Sequence, residues 1–370
     1  MRLPAISKIG RLALRHWLLV VLLAAVVYVL TKQVNYRQVW SAFAGVSWFF
    51  VFLAILANLS SILLKVASWR IIYNFTFPGF RARWRDLTSA LMIGFLVNAL
   101  VPARIGELAR AYVISRRESL YGYSLSRSTV FGTIVLERVF DGFVLAAIIF
   151  YGVFRMNLPS WAGRGAIVLL AIALIFGISL VVLEIKREKI KAGAAAAQAR
   201  HREEHPWWRK QLTKLHGIVA RFSEGQQVLR SPGRVLAILC TTSASWMSQL
   251  TAVFLSLHAF HLGFTGFLGA TLLLILINVA GALPATPGNV GIFQLATVIP
   301  LAIAYGSTAD GHPCTPEFHC ITESTALAFS IGLQAIEGSI GLGVGSAFLL
   351  KEGLSFKQVR RESLRDIQGG

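Results

Sequence analysis

The stretch "LERVFD", residues 136–141, places Glu137, Arg138 and Asp141 inside an otherwise apolar run, "STVFGTIVLERVFDGFVLAAIIFYGVF". Glu137 and Asp141 are four residues apart and share a helical face, and Arg138, three from Asp141, can pair with it. A charge at the centre of a bilayer costs about 2.5–3.5 kcal/mol on insertion scales. Three in one helix therefore need partners or a function. They read either as an ion cluster tying helices together or as the wall of a polar pathway. The second reading is preferred, because ionisable residues at membrane depth mark substrate or ion routes.

A second group lies in "NALVPARIGELARAYV", residues 98–113. Pro102 removes a backbone donor and stops an inbound helix. Gly106 permits a tight turn or a close backbone approach. A helix starting near Gly106 presents free N–H groups and a positive dipole end, the chemistry of an anion site. Arg104 adds a planar cation suited to phosphate. Glu107 can balance Arg104, pair with Arg138 or meet a cationic headgroup, and Arg110 is read as snorkelling to the membrane face. Asn98 stands just before the break. A third group, "LPATPGNVGIFQ" at 283–294, repeats the pattern without charge through Pro284, Thr286, Pro287, Gly288, Asn289, Gly291 and Gln294. Pro102 and Gly106 align with Pro284 and Gly288 in a shared Pro-Ala-x-x-Gly, and Asn278 precedes the second break as Asn98 precedes the first. Asn289 is either a site residue or an ordinary turn residue. Lys65 is read as snorkelling. Glu337, in "IGLQAIEGSIGLGVGSAFLL", is either a site residue or a hydrogen-bonded structural one. Gly341 and Gly345 suit close helix packing.

These residues need membrane helices to position them. The chain is 55% hydrophobic and only 14% charged, against about a quarter charged in soluble domains. It is thus expected to be an all-α, polytopic integral membrane protein. Its net charge of +19 does not indicate nucleic-acid binding, because the cations lie between apolar runs, as the positive-inside rule requires. About 20 apolar residues cross the hydrocarbon core. That gives about six full spans, at 14–30, 46–69, 126–151, 165–185, 233–260 and 323–350. The first is read as a retained helix, since no convincing cleavage site follows it. Lysine and arginine crowd the segment before the first span, residues 70–86, 115–127 and 186–231, and the tail after 350. Both termini are therefore placed in the cytoplasm, with 31–45, 152–164, 261–265 and 307–322 outside. Residues 87–114 and 266–306 must then each enter and return on one side, as two oppositely oriented re-entrant hairpins. That is an inverted-repeat-like pattern, and transporters often bind substrate at such broken helices. The membrane domain is placed at 1–350 and the cytoplasmic tail at 351–370; 186–231 is a basic loop, either solvated or lying on anionic headgroups.

Cys240 is read as a small buried residue. Cys314 and Cys320 share an outside loop where a disulfide can form. Neighbouring His312 and His319 match no zinc spacing, so no metal site is assigned. No Walker loop, H-E-x-x-H or G-x-S-x-G occurs, so neither an enzyme nor a cofactor is expected.

At "NALVPARIGELARAYVISRR", "LERVFD" and "PATPGNVGIFQ" the chain resembles the flippase-like membrane domain of lysylphosphatidylglycerol synthases. The resemblance spans about residues 12–350. It implies a multi-pass lipid flippase of a bacterial or archaeal cytoplasmic membrane. It points to Pro102, Arg104, Gly106, Glu107, Glu137, Arg138, Asp141, Pro284, Pro287, Gly288 and Gly291. Nothing after residue 350 could form the aminoacyl-transferase domain of the full synthases, so aminoacylation is not expected. The expected partners are membrane lipids of anionic or polyprenyl-phosphate type, and a separate glycosyltransferase or lipid synthase. A homodimer is left open. The rival expectation is a non-transporting partner that presents a lipid to such an enzyme.

Overall fold

A computed structural model describes residues 36–79, 83–101, 105–123, 125–155, parts of 167–186, and 227–281, 286–305 and 321–368. The expected first span, the basic loop 187–226, Pro102, Arg104, Pro284, Cys314 and Cys320 lie outside the described residues, as does the side chain of Pro287.

All described elements are helical: α1 (Tyr36–Ala44), α2 (Trp48–Thr76), α3 (Trp84–Leu100), α4 (Gly106–Leu120), α5 (Arg127–Arg155), α6 (Pro232–Ala259), α7 (Gly266–Gly281), α8 (Ile292–Tyr305), α9 (Glu323–Lys351) and α10 (Phe356–Gln368). Among the described residues, α2, α6, α9 and the stretch Gly263–Gly281 are long and apolar enough to cross a membrane. The outer face of α2 exposes Trp48, Phe49, Phe52, Leu56 and Leu63, a surface suited to lipid rather than water.

Lipid supplies no hydrophobic drive between helices, so small and hydroxyl residues make the contacts. The most extensive pairing joins α2 and α6. Ser61 meets Ser245 at 3.2 Å, Ser68 meets Thr242 at 3.0 Å, and Ser60 contacts Ser248. Cys240, expected to be buried, instead lies on the exposed face of α6.

α3 and α4 form one hairpin, α7 and α8 the other. In the first, a Cβ on Gly106 would sit 2.2 Å from the Gly94 carbonyl, so close backbone approach requires glycine there. α9 serves both hairpins. Its first half and the residues leading into it carry α8: Ile321 N–H, just before α9, donates to the Tyr305 carbonyl at 2.7 Å, Thr297 bonds Ser330, and Gln294 Nε2 donates to Gln334 Oε1 at 2.6 Å. Its second half carries α3. A Cβ on Gly341 would touch Phe95, and one on Gly345 would lie 2.7 Å from the Met92 carbonyl. Gly341 and Gly345 thus allow the close packing expected of them, with a π-helical stretch at Ile340–Val344 adjusting the register. The hairpins approach from opposite ends of α9 and meet near its middle, where Gly288 faces the Ala99 carbonyl. Residues assigned to a tail form α10, which inserts Val359 into the core beneath α3 and α4.

Candidate functional site

The site begins with the backbone break between α3 and α4. Asn98, in the last turn of α3, accepts the Gly106 N–H through Oδ1 at 2.7 Å. Its Nδ2 reaches Glu107 Oε2 at 3.5 Å. One donor expected to be free for an anion is therefore already taken. The positive end of α4 is further matched by Glu107 in its first turn, a favourable placement for a carboxylate.

Glu107 Oε1 accepts from Arg138 Nη2 at 2.9 Å, so the hairpin tip is tied to α5. Arg138 also reaches Asp141 Oδ2 at 3.2 Å, the i, i+3 pair expected from spacing. Two further cations differ from their expected roles. Lys65 does not snorkel; its Nζ lies 2.6 Å from Asp141 and 3.9 Å from Glu137. Arg110 does not reach a membrane face either. It is 1% exposed, donates to Glu137 Oε2 at 2.6 Å, and lies over the Trp69 ring at 4.2 Å. The reason is shared: Glu137, itself 1% exposed, and Asp141 present carboxylates inside the bundle, and a cation against each offsets the cost of burying its charge. Trp69 is fixed by Thr133 at 3.0 Å, and Trp246 Nε1 donates to Asp141 Oδ1 at 3.2 Å. The network joins α2, α4, α5 and α6. Lys65, Arg110 and Arg138 balance Glu107, Glu137 and Asp141.

The second tip is held without charge. Gly288, Asn289 and Gly291 have φ of 65°, 57° and 88°, the left-handed region that glycine and asparagine tolerate. Gln294 Oε1 accepts the Gly291 N–H at 2.7 Å, and Gln334 Nε2 donates to the Gly288 carbonyl at 2.8 Å. Thr286 Oγ1 donates to the Val290 carbonyl at 2.6 Å.

Between the tips lies a polar cavity with two adjoining lobes, about 590 Å³ and about 300 Å³. Phe95, Ala99, Arg138, Gln249, Asn278, Glu337 and Gly338 line both. Asn98, Glu107, Gly288, Asn289 and Gln334 border the larger lobe, while Asn58, Lys65 and Trp246 border the smaller. Asn98, Glu107, Arg138, Gly288, Asn289 and Glu337 thus gather around one space, while Gly106, Asp141 and Gln294 support its lining residues without bordering it. Arg110 and Glu137 stand behind it in the core. The Glu337 side chain has no hydrogen-bonded or ion-paired neighbour among the described residues, and Glu337 borders both lobes. The sequence reading missed Asn58, Gln249 and Gln334 as lining residues. Their signal was available: carboxamides inside apolar runs. Toward the other ends of α2 and α9, an apolar groove of about 560 Å³ runs between Trp48, Val51, Ile55, Gly332 and Ile336.

A helical integral membrane protein with paired charges and two broken hairpins around a polar cavity is the class that fold and site define. The chain belongs to the family of the lysylphosphatidylglycerol synthase transmembrane region, whose model matches residues 17–311. It is 24% identical over 318 residues to "Glycosyltransferase AglD" of Haloferax volcanii, covering 78% of this chain and 47% of that one. It is 25% identical over 215 residues to "UPF0104 membrane protein MJ1078" of Methanocaldococcus jannaschii, covering 55% of this chain and 77% of that protein. The chain therefore spans about half the length of the AglD relative. No solved structure matches it.

Proposed function

We propose that this protein moves a polar, phosphate-bearing lipid across the cytoplasmic membrane. The observation that carries the reading is the meeting of two hairpin tips, from opposite ends of α9, around one polar cavity. Irregular backbone at membrane depth is tolerated where it lines such a space, and opposed broken helices are the usual binding place of inverted-repeat transporters. In this reading both hairpins are re-entrant and both termini are cytoplasmic. The headgroup enters the cavity while the chains stay in lipid or along the apolar groove. Glu107, Arg138, Asp141 and Lys65 exchange partners as the head passes, so that no charge is left bare at any stage. Arg104, two residues before Gly106 in the chain, is the cation assigned to the phosphate.

A second reading is favoured by the name of the Haloferax relative: the chain binds a lipid and presents it to a glycosyltransferase without transporting it. Reconstitution in liposomes with fluorescent phospholipids separates the two. Transbilayer movement that depends on the protein supports translocation. Binding without movement supports presentation, and a chemically altered lipid supports an enzyme.

A further inference from the structure

The cavity wall is unusual in what it leaves unpaired. Its described cations, Lys65 and Arg138, are already paired, Lys65 with Asp141 and Arg138 with Glu107 and Asp141. What remains free among the described residues is a set of carboxamides and the Glu337 carboxyl. Among the described residues Asn58, Gln249 and Asn289 make no side-chain hydrogen bond, and Asn278 uses only its Nδ2, on the Leu274 carbonyl. Each carboxamide carries two donors and an acceptor side by side, and Glu337 adds unpaired acceptor oxygens. These groups converge on one space from α2, α6, α7, α9 and the second tip, and the Phe95 ring borders both lobes. Among the described residues, this wall offers a bare phosphate no spare cation. Carboxamides and a carboxylate match hydroxyl groups that donate and accept on neighbouring carbons. An aromatic face covers the C–H side of a sugar ring.

We infer that the cavity is a glycosyl site: it takes the polyhydroxyl sugar head of a glycolipid, held by Asn58, Gln249, Asn278, Asn289 and Glu337 against Phe95. The inference rests on the reading of this cavity as the headgroup site. The combined lobes fall in the size range of ligand pockets, about 300–1,000 Å³. A site built to hydrogen-bond hydroxyls discriminates strongly against heads lacking them, because its polar groups are then left unpaired.

The test measures binding to the full chain in nanodiscs of three lipids with identical acyl chains: a neutral monoglucosyl lipid, a phosphate-only lipid and a lipid with an ammonium head. A soluble methyl glucoside serves as competitor. The glucosyl lipid should bind at least about tenfold more tightly than either other lipid. Gln249→Leu should remove most of that preference. Asn289→Gly, which suits the φ of 57° and removes only the carboxamide, should do so with an unchanged melting temperature. Competition by methyl glucoside at concentrations comparable with the lipid would assign the site to free sugar rather than to a lipid head, and would overturn the glycolipid assignment. If the phosphate or ammonium lipid binds as tightly as the glucosyl lipid and both variants weaken it, the cavity remains the headgroup site and only the sugar assignment falls. If neither variant alters the binding of any lipid, the cavity is not the headgroup site, and the translocation reading falls with it.

Discussion

At the scale of single residues, the charges act as pairs. Arg110 and Glu137 are both 1% exposed and bonded at 2.6 Å. Removing one partner of such a pair costs about 3–5 kcal/mol, whereas replacing both by apolar residues of similar volume is often neutral. Arg110→Met should therefore lower the melting temperature in detergent markedly, and Arg110→Met combined with Glu137→Leu should recover most of the loss. Equal instability of the single and double variants would show that Glu137 does not depend on Arg110. The Arg138–Asp141 pair, with side chains 37% and 10% exposed and with Arg138 lining the cavity, has a different expected signature. Arg138→Gln with Asp141→Asn also strips Glu107 and Lys65 of their closest charged partners, so it should melt below wild type and, in the folded fraction that is reconstituted, fail to move lipid. Wild-type transport by that double variant would make the pair structural glue. Outside the membrane-spanning helices, burial and the nearby Asp86 charge push the Glu118 carboxyl above its ordinary range. The native protein thus holds this proton more tightly than the unfolded chain does. Stability is penalised above the raised native pKa, and the penalty fades as pH falls to the ordinary carboxylate range. Glu118→Gln should melt higher than wild type at pH 7, with the difference shrinking toward pH 4. An acid-independent difference would mean that something other than titration is responsible.

At the scale of elements, glycine positions decide how closely the hairpins can approach their supports. A Cβ at Gly106 would lie 2.2 Å from the Gly94 carbonyl, while one at Gly338 would meet nothing within 4 Å. Both are glycine-to-alanine changes in helices, yet only the first must push backbone apart. Overpacking costs about 1–3 kcal/mol or more. Gly106→Ala should therefore destabilise the protein by at least that amount in a denaturation series, and Gly338→Ala should match or exceed wild type. Similar losses at both positions would show that propensity, not hairpin packing, sets the effect.

At the scale of the molecule, the proposed function requires the hairpins to open to opposite sides of the membrane. In a background with the native cysteines replaced, Ser119→Cys should react with an impermeant thiol reagent only from the cytoplasm, and Ser307→Cys only from outside. Labelling of either from the wrong side would discard the corresponding re-entrant hairpin. The C-terminal region bears on the same geometry. Glu352 joins Arg117 at 2.6 Å and Ser89 at 2.7 Å, so the end of α9 is pinned to both arms of the first hairpin.

Local physics made much of this legible from residue order alone. Long apolar runs with few charges can only be membrane helices, because each buried charge is costly. Pro102 and Pro284 announced the breaks, since proline followed by glycine four residues on disfavours a continuous helix, although a single proline such as Pro300 is accommodated within α8. The triad at Glu137, Arg138 and Asp141 announced a polar place, and its internal pair followed from helical spacing. What remained was the choice of partner across the bundle. Lys65 and Asp141 are 76 residues apart, and Arg110 and Glu137 are 27 apart. A lysine that snorkels and one that neutralises a buried carboxylate occupy the same kind of sequence. So do a carboxamide turned to lipid-side neighbours and one turned to a cavity: Gln249 and Asn58 became lining residues only when α2 and α6 met α9. Hydropathy and spacing along the chain were enough for the membrane class, the breaks and the charged helix. Which cation meets which acid, and the meeting of the two tips along α9, emerged with the folded bundle, because those outcomes depend on packing between segments far apart in the chain.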